Sequence, residues 1–172
     1  KRRDFSINAL ALDILNDKLI DLHGSRNAIK SKELHFLHSK SVADDPTRII
    51  RGARYAARLG FTLSPESVTQ IKSTMETWPW RWKEGDPGME APPGLSTRLR
   101  MELELLLYKE NWVQAIENLQ TWGGLLLLDS ELQNDLRWRK RLLWASRFKV
   151  DRLTALIKGA ANPCLLGERL QL

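Results

Sequence analysis

The sequence predicts a mainly α-helical protein that opens with a short β-hairpin. After residue 40, apolar residues recur at helical spacing in several segments, and glycines or prolines separate these segments. Before residue 40, FSINALALDIL is apolar and partly alternating, and the Asn16-Asp17 turn leads into a returning KLIDL. We therefore expect an edge hairpin of an α/β sheet followed by packed helices.

Composition limits the class of protein. A chain of 172 residues that is 42% hydrophobic is long enough to bury a core. Its longest leucine run, at 125–128, is far too short to cross a bilayer, so no membrane partner is expected. The single Cys164 excludes an internal disulfide framework and predicts a reducing, cytoplasmic location.

The charge balance predicts an anionic partner. The formal net charge is +6 and the sequence pI is about 9.7, with arginine supplying most of the excess. Basic residues cluster at 1–3, 48–58, 98–100 and 137–141, so several elements could follow a phosphate backbone. Nucleic acid is therefore the leading candidate partner.

The segment SVADDPTRIIRGARYAARLG, residues 41–60, predicts a well-bounded amphipathic helix. Asp44 and Asp45 can accept hydrogen bonds from its first turn, Pro46 suits the first helical position, and Gly60 suits the end. At 100° per residue the chain sorts into an apolar face and a cationic face. The apolar face holds Ile49, Ile50, Ala53, Ala56 and Ala57, and the other holds Arg48, Arg51, Arg54, Tyr55 and Arg58.

The cationic face has two interpretations. In the first, it is a solvated surface on which Asp45 pairs with Arg48. In the second, Asp45 accepts and Arg48 donates hydrogen bonds to a nucleobase. Cytosine and adenine offer an amino donor beside a ring-nitrogen acceptor, and uracil offers the reverse. One Asp and one Arg could thus accept C and A and reject U.

The remainder of the chain predicts a loop and then further helices. Prolines, glycines and three tryptophans predict a loop at 78–94, where the tryptophans could stack on RNA or anchor the loop to the core. Leu99 to Leu107 forms an apolar stripe with Arg98 and Glu102 positioned to pair. A helix is predicted from Asn111, and another from Leu132 to Phe148. The latter is expected to carry Leu136, Leu142, Leu143 and Trp144 inward.

Three motifs carry a family resemblance. RRDFSINALALD, LIDLHG and DDPTRIIRGARYAARLGF are similar, in order and spacing, to motifs of the class II tRNA nucleotidyltransferase and bacterial poly(A) polymerase family. Its CCA-adding members build the tRNA 3′ end. LSTRLRMELELLL resembles the family's neck helix, and NPCLLGERLQL resembles a segment of its body. The leading Glu of the family's EDxxR motif is Asp44 here.

The resemblance implies roles for individual residues. Asp45 and Arg48 would read the incoming base, with Arg51 and Arg54 as second-rank contacts to base or phosphate. In the RRD motif, Asp4 would contact the ribose. The resemblance also implies phosphate contacts at Arg2 and Arg3. The basic clusters, in turn, make candidates for RNA contact of Arg98, Arg137, Arg139, Lys140 and Arg141.

The family's metal-binding DxD carboxylates and glycine-rich loop lie before RRD, and this sequence starts at RRD. No DxD pair follows it. We therefore expect no catalytic and no metal-binding residue in this chain, and no activity from the chain alone. The resemblance implies Mg²⁺ on those upstream carboxylates, with CTP and ATP as substrates.

The expected domains are the end of a nucleotidyltransferase head at 1–40, a helical neck at 41–110 and an incomplete helical body at 111–172. The expected function is template-independent addition of C and A to tRNA, with tRNA and nucleoside triphosphates as partners. Two alternatives stay open. One is a poly(A) polymerase or an enzyme adding only C or only A, and the other is a non-catalytic helical RNA-binding module.

Overall fold

A computed structural model describes residues 3–77 and 94–172, and within these ranges the chain is mostly helical. Arg2 and residues 78–93 of the loop predicted at 78–94 lie outside the described residues. In the first half the elements are a 3-10 helix at Ser6–Asn8, β1 (Ala11–Asp13), β2 (Lys18–Ile20), α1 (Ser25–Ser31), β3 (Glu33–Leu34), α2 (Ser41–Asp44), α3 (Thr47–Leu59), β4 (Thr62–Leu63) and α4 (Pro65–Thr77).

The described residues of the second half form helices joined by short connections and contain no strand. Its elements are α5 (Leu95–Lys109), α6 (Trp112–Trp122), a 3-10 helix at Gly124–Leu127, α7 (Ser130–Asn134), α8 (Trp138–Arg147), α9 (Arg152–Ile157) and α10 (Pro163–Arg169). The predicted mainly helical fold is confirmed. Within the described residues, no helix combines the length and the apolar character that crossing a bilayer requires.

The predicted hairpin is present. Strands β1 and β2 pair antiparallel, with Ala11 opposite Ile20 and Asp13 opposite Lys18. Asp17 adopts a positive φ of 47° in the turn, a conformation that Asp tolerates better than most residues. A second, parallel pair joins β3 to β4 and so connects the beginning of the chain to the segment that follows α3.

The core is built around α3. Its apolar face holds Ile49, Ile50, Ala53 and Ala56, each at most 1% exposed, as the sequence predicts. This face packs against α5 and α6. Leu103, Leu106 and Leu107 of α5 are fully buried, and Leu119 of α6 is 1% exposed. These residues belong to one hydrophobic cluster that reaches from Phe5 to Leu170.

The boundaries of α3 differ slightly from the prediction. Asp44 belongs to the separate short helix α2, and α3 begins at Thr47, one residue after Pro46. Asp45 still accepts the backbone N–H of Thr47, with an N to Oδ1 distance of 3.2 Å. Gly60 ends the helix in the left-handed region at φ 66°, where glycine avoids the strain of a Cβ.

The predicted helix from Leu132 to Phe148 is wrong, because the chain breaks between α7 and α8. Asp135 has an extended backbone, and its Oδ1 accepts the backbone N–H of Arg137 at 2.8 Å. This local hydrogen bond competes with helix continuation. Of the four residues expected to point inward, Leu142 is buried, whereas Leu136, Leu143 and Trp144 are 91%, 52% and 46% exposed.

The substitution Gly124→Ala tests the packing of the second 3-10 helix against α3. A Cβ at Gly124 would lie 2.6 Å from Ile49 Cγ2 and 3.0 Å from Leu119 Cδ2. We expect urea denaturation to show a free energy of unfolding lowered by about 1–3 kcal/mol. The control is Gly167→Ala in α10, where the new Cβ meets Ile157 Cδ1 at 3.6 Å and alanine favours the helix. Equal stability of the two variants would contradict this packing.

Candidate functional site

The arginines of α3 lie along one side of the helix. Arg48, Arg51, Arg54 and Arg58 are spaced by three or four residues, which places their side chains one above another. They are not a solvated cationic face. Arg48 and Arg54 are each only 8% exposed, and Arg51 is half-buried. Buried guanidinium groups require carboxylate partners, because an unpaired charge in the interior is strongly destabilising.

Asp4 provides the first partner. Arg48 Nε donates to Asp4 Oδ1 at 2.9 Å, and Arg51 Nη1 donates to Asp4 Oδ2. Arg48 Nη1 also donates to the carbonyl oxygen of Ser41 at 2.9 Å. Asp4 itself is 9% exposed. The RRD segment and the DPTR segment, far apart in the sequence, therefore meet through charged hydrogen bonds.

Two glutamates provide the remaining partners. Arg51 Nε donates to Glu102 Oε1 at 3.0 Å, and Arg54 Nη1 donates to Glu102 Oε2. Arg54 Nη2 lies 3.3 Å from Glu110 Oε1, and Arg58 Nε lies 3.1 Å from Glu110 Oε2. We call this set the arginine–carboxylate ladder. Its members are Arg48, Arg51, Arg54, Arg58, Asp4, Glu102 and Glu110.

The ladder fixes the charge state of its arginines. Burial alone would lower the pKa of Arg51, but its hydrogen bonds to Asp4 and Glu102, together with their charges, outweigh burial and raise that pKa above its usual value. A hydrogen bond to Glu110 likewise raises the pKa of Arg58. The three carboxylates neutralise most of the arginine charge where it is buried.

Asp45 lies at the entrance of α3 and has its own partners. Its Oδ1 accepts hydrogen bonds from the backbone N–H and the hydroxyl of Thr47, at 3.2 and 2.7 Å. Its Oδ2 accepts from Arg98 Nη1 at 2.9 Å. Arg98 belongs to α5, so two helices hold this carboxylate. The surface interpretation, in which Asp45 pairs with Arg48, is not the arrangement observed, since Arg48 bonds to Asp4.

Asp45 and Arg48 keep hydrogen-bonding capacity in this arrangement. A carboxylate has about four acceptor sites, and the bonds described for Asp45 use three of them. A guanidinium has five N–H groups, and the bonds described for Arg48 use Nε and Nη1. The side chain of Asp45 is 16% exposed and that of Arg48 is 9% exposed. The described bonds thus leave part of the hydrogen-bonding capacity of both side chains unused, and each side chain is oriented by a different partner.

The other predicted site residues are distributed over several elements. Arg3 is exposed and lines a cavity of about 340 Å³ together with His23 and His38, and Arg2 lies outside the described residues. Arg137, Arg139 and Lys140 are exposed at the beginning of α8, and Arg139 pairs with Glu117 at 3.1 Å. Arg141 instead turns toward Asp135 and the Ala155 carbonyl oxygen.

The sequence analysis missed Glu110 and assigned Glu102 to Arg98. The structure shows Glu102 accepting from Arg51 and Arg54 of α3. The signal that could have revealed both glutamates is the density of arginines on a helix whose opposite face is apolar, because such a helix needs carboxylates from neighbouring elements. Within residues 3–77 and 94–172, no group of three or more His, Cys, Asp or Glu side chains is arranged to hold a metal ion.

Comparison with known proteins shows which proteins the chain resembles. The sequence pattern of the poly A polymerase head domain matches residues 1–35. A CC-adding tRNA nucleotidyltransferase from Deinococcus radiodurans is 35% identical over 131 residues, which are 74% of this chain and 31% of the relative. An A-adding tRNA nucleotidyltransferase from Aquifex aeolicus is 32% identical over 145 residues, covering 83% of this chain and 16% of the relative.

Solved structures of tRNA-processing enzymes are similar to the chain in fold. A CCA-adding enzyme in complex with ATP aligns at a TM-score of 0.72 with 25% identity, over 99% of this chain and 43% of the other. A tRNA-processing enzyme with CTP aligns at a TM-score of 0.62 with 29% identity, over 91% of this chain and 45% of the other. In fold and in its matching segments the chain is therefore similar to nucleotidyltransferases.

More specifically, residues 1–35 match the poly A polymerase head domain, and most of the chain is similar to CC-adding and A-adding tRNA nucleotidyltransferases. The chain spans less than a third of the length of the two curated relatives and less than half of the two solved chains. The activity of the complete protein is therefore addressed as a proposal.

The substitution Glu102→Gln tests the ladder. It removes the charge shared by Arg51 and Arg54 and leaves two half-neutralised guanidinium groups in a mostly buried position. We expect chemical denaturation to show a loss of about 3 kcal/mol in the free energy of unfolding. The matched control is Glu104→Gln on the same helix, where the carboxylate is 45% exposed and pairs with Arg100. It should cost less than about 1 kcal/mol. Similar losses in both variants would contradict the importance of the ladder.

Proposed function

We propose that the complete protein adds C and A to the 3′ end of tRNA without a template, and that this chain supplies nucleotide recognition and RNA binding. The observation that carries the proposal is the contact between Asp4 of the RRD motif and Arg48 of the DPTR motif. It brings the two segments implied in nucleotide recognition to one place. The names of the relatives, CC-adding and A-adding tRNA nucleotidyltransferases, support the reaction.

In this proposal Asp45 and Arg48 read the edge of the incoming base. The remaining acceptor site of Asp45 takes the exocyclic amino group of cytosine or adenine, and the free Nη2 of Arg48 donates to the adjacent ring nitrogen. Uracil presents a carbonyl and an N–H in these places, so it meets an acceptor with an acceptor and a donor with a donor. Polar groups left without partners in a desolvated site make the free energy of binding less favourable, so UTP is bound less tightly than CTP or ATP.

The other candidates support the base readers. Arg3 is exposed and is proposed, with Arg2, to contact the triphosphate. Asp4 is proposed to contact the ribose from the position in which it orients Arg48. Arg51 and Arg54 stay second-rank candidates for base or phosphate contact, because Asp4, Glu102 and Glu110 already occupy much of their hydrogen-bonding capacity.

CTP and ATP are the proposed substrates, in keeping with solved relatives that contain CTP or ATP. The family resemblance also implies Mg²⁺. Among the described residues, no group of three or more His, Cys, Asp or Glu side chains fits a metal ion, so we assign no step to Mg²⁺ in this chain. RNA contact is proposed at Arg98, Arg137, Arg139, Lys140 and Arg141.

Alanine at Asp45 or Arg48 tests the proposed base selection. In the complete protein, Asp45→Ala and Arg48→Ala should each lower the preference for CTP and ATP over UTP by roughly 5- to 150-fold, because each removes one hydrogen-bonding group worth about 1–3 kcal/mol. The measurement is kcat/KM for each nucleotide on tRNA lacking CCA. The matched control is Arg58→Ala, which removes a largely exposed arginine from the same helix and should leave base preference unchanged. Wild-type rejection of UTP by both test variants would refute the assignment.

A second candidate is addition of only C or only A, and the names of the two curated relatives favour considering it. The complete protein should be given tRNA lacking CCA, tRNA ending in CC, and unrelated RNA, each with CTP or ATP supplied separately and together. Full CCA addition is expected on the first substrate and addition of A on the second. Incorporation that stops after CC, or that starts only from CC, would establish the restricted activity. Extension of unrelated RNA with A would instead indicate a poly(A) polymerase.

A further inference from the structure

The outer surface of α8 exposes large apolar side chains that the fold does not use. The inner side of the helix buries Trp138, Leu142 and Ala145. The opposite side carries Lys140, Leu143, Trp144, Arg147 and, at the end of the helix, Phe148. Leu143, Trp144 and Phe148 are 52%, 46% and 64% exposed. We call these five residues the outer face of α8.

Two aromatic rings on this face form a parallel stack. The centroids of Trp144 and Phe148 lie 5.3 Å apart, and their planes differ by 8°. The guanidinium of Arg147 lies 5.5 Å from the centroid of the Trp144 ring. Phe148 is the most exposed member of the stack. A flat, exposed ring that is already supported from behind is suited to stacking on another planar group, such as a nucleobase.

The charge on this face calls for an anionic partner. Residues 136–150 contain six lysines and arginines and no acidic residue. Neighbouring elements neutralise Arg139 through Glu117 and Arg141 through Asp135. Among the described residues, no carboxylate pairs with Lys140 or Arg147. A second copy of the chain is disfavoured as the partner, because a two-fold contact would place these cations opposite one another.

We propose that the outer face of α8 binds unpaired nucleotides of the RNA substrate. A base stacks on Phe148 and the Trp144 ring behind it, and Lys140 and Arg147 contact the adjacent phosphates. The identification of the RNA as part of the tRNA substrate rests on the proposed function, whereas the binding of unpaired RNA rests on the stack and the cations alone. Single-stranded segments are favoured over duplexes because the bases of a duplex are stacked on each other and cannot receive the ring.

The test measures RNA affinity of the complete protein by fluorescence anisotropy. The probes are a labelled single-stranded RNA oligonucleotide and a blunt RNA duplex of equal length. Phe148→Ala should weaken binding of the single strand by about tenfold and change duplex binding little. Phe148→Leu keeps an apolar side chain of similar bulk but lacks the ring, so it should weaken binding of the single strand by a comparable factor. Lys140→Ala should weaken binding of the single strand. It should also reduce the slope of the logarithm of the affinity against the logarithm of the salt concentration by about one. The control is Lys72→Ala, an exposed lysine on α4.

Loss of single-strand affinity in both Phe148 variants, with the control unchanged, supports the proposal. Wild-type affinity in all variants overturns it, and so does wild-type affinity in Phe148→Leu alone, since apolar bulk would then suffice. Light scattering that shows self-association abolished by Phe148→Ala also overturns it, because a second copy would then cover the face. Nucleotide addition to tRNA lacking CCA is measured in parallel. If the protein adds nucleotides to tRNA but the Phe148 variants bind RNA as the wild type does, only this inference fails. If RNA binding depends on the Phe148 ring but no nucleotide is added, only the proposed function fails.

Discussion

The structure depends on the neutralisation of the buried arginines of α3. Asp4 near the beginning of the chain, Glu102 of α5 and Glu110 at the end of α5 converge on one side of this helix. Each carboxylate serves two arginines, so the beginning of the chain, α3 and α5 are held in register by charge as well as by the apolar core. Because guanidinium groups do not lose their charge in proteins, this constraint acts at any physiological pH.

The same constraint gives the candidate site its properties. Had Asp45 paired with Arg48, the acceptor and the donor would have satisfied each other. Instead Asp4 orients Arg48, and Thr47 and Arg98 orient Asp45. Both side chains are held by neighbours and retain unused hydrogen-bonding positions. Because the two side chains are already ordered, a matching ligand loses little conformational entropy of the protein when it binds. A ligand with donors and acceptors in the reverse order forms no hydrogen bonds with the pair.

Local patterns in the sequence predicted the hairpin, the apolar face and C-terminal end of α3, and the buried stripe of α5, since each depends on periodicity or a single turn residue. Contacts between distant segments were beyond this reasoning. The spacing of Arg98 and Glu102 suggested a pair, whereas the observed partners of these residues lie on or next to α3. Periodicity also misjudged α8, which is apolar on two sides, and it did not reveal the break at Asp135. The proposed base-reading pair, Asp45 and Arg48, came from the family resemblance together with the chemistry of the two side chains.

The central claim is that Arg48, oriented by Asp4, and Asp45, oriented by Arg98, together read the edge of a nucleobase. Its most direct test is a crystal structure of the complete protein with a non-hydrolysable CTP analogue. The account predicts the cytosine amino group within hydrogen-bonding distance of Asp45, its ring nitrogen within that distance of Arg48, and Arg48 Nε still bonded to Asp4. A cytosine bound beyond hydrogen-bonding distance of both side chains would contradict it.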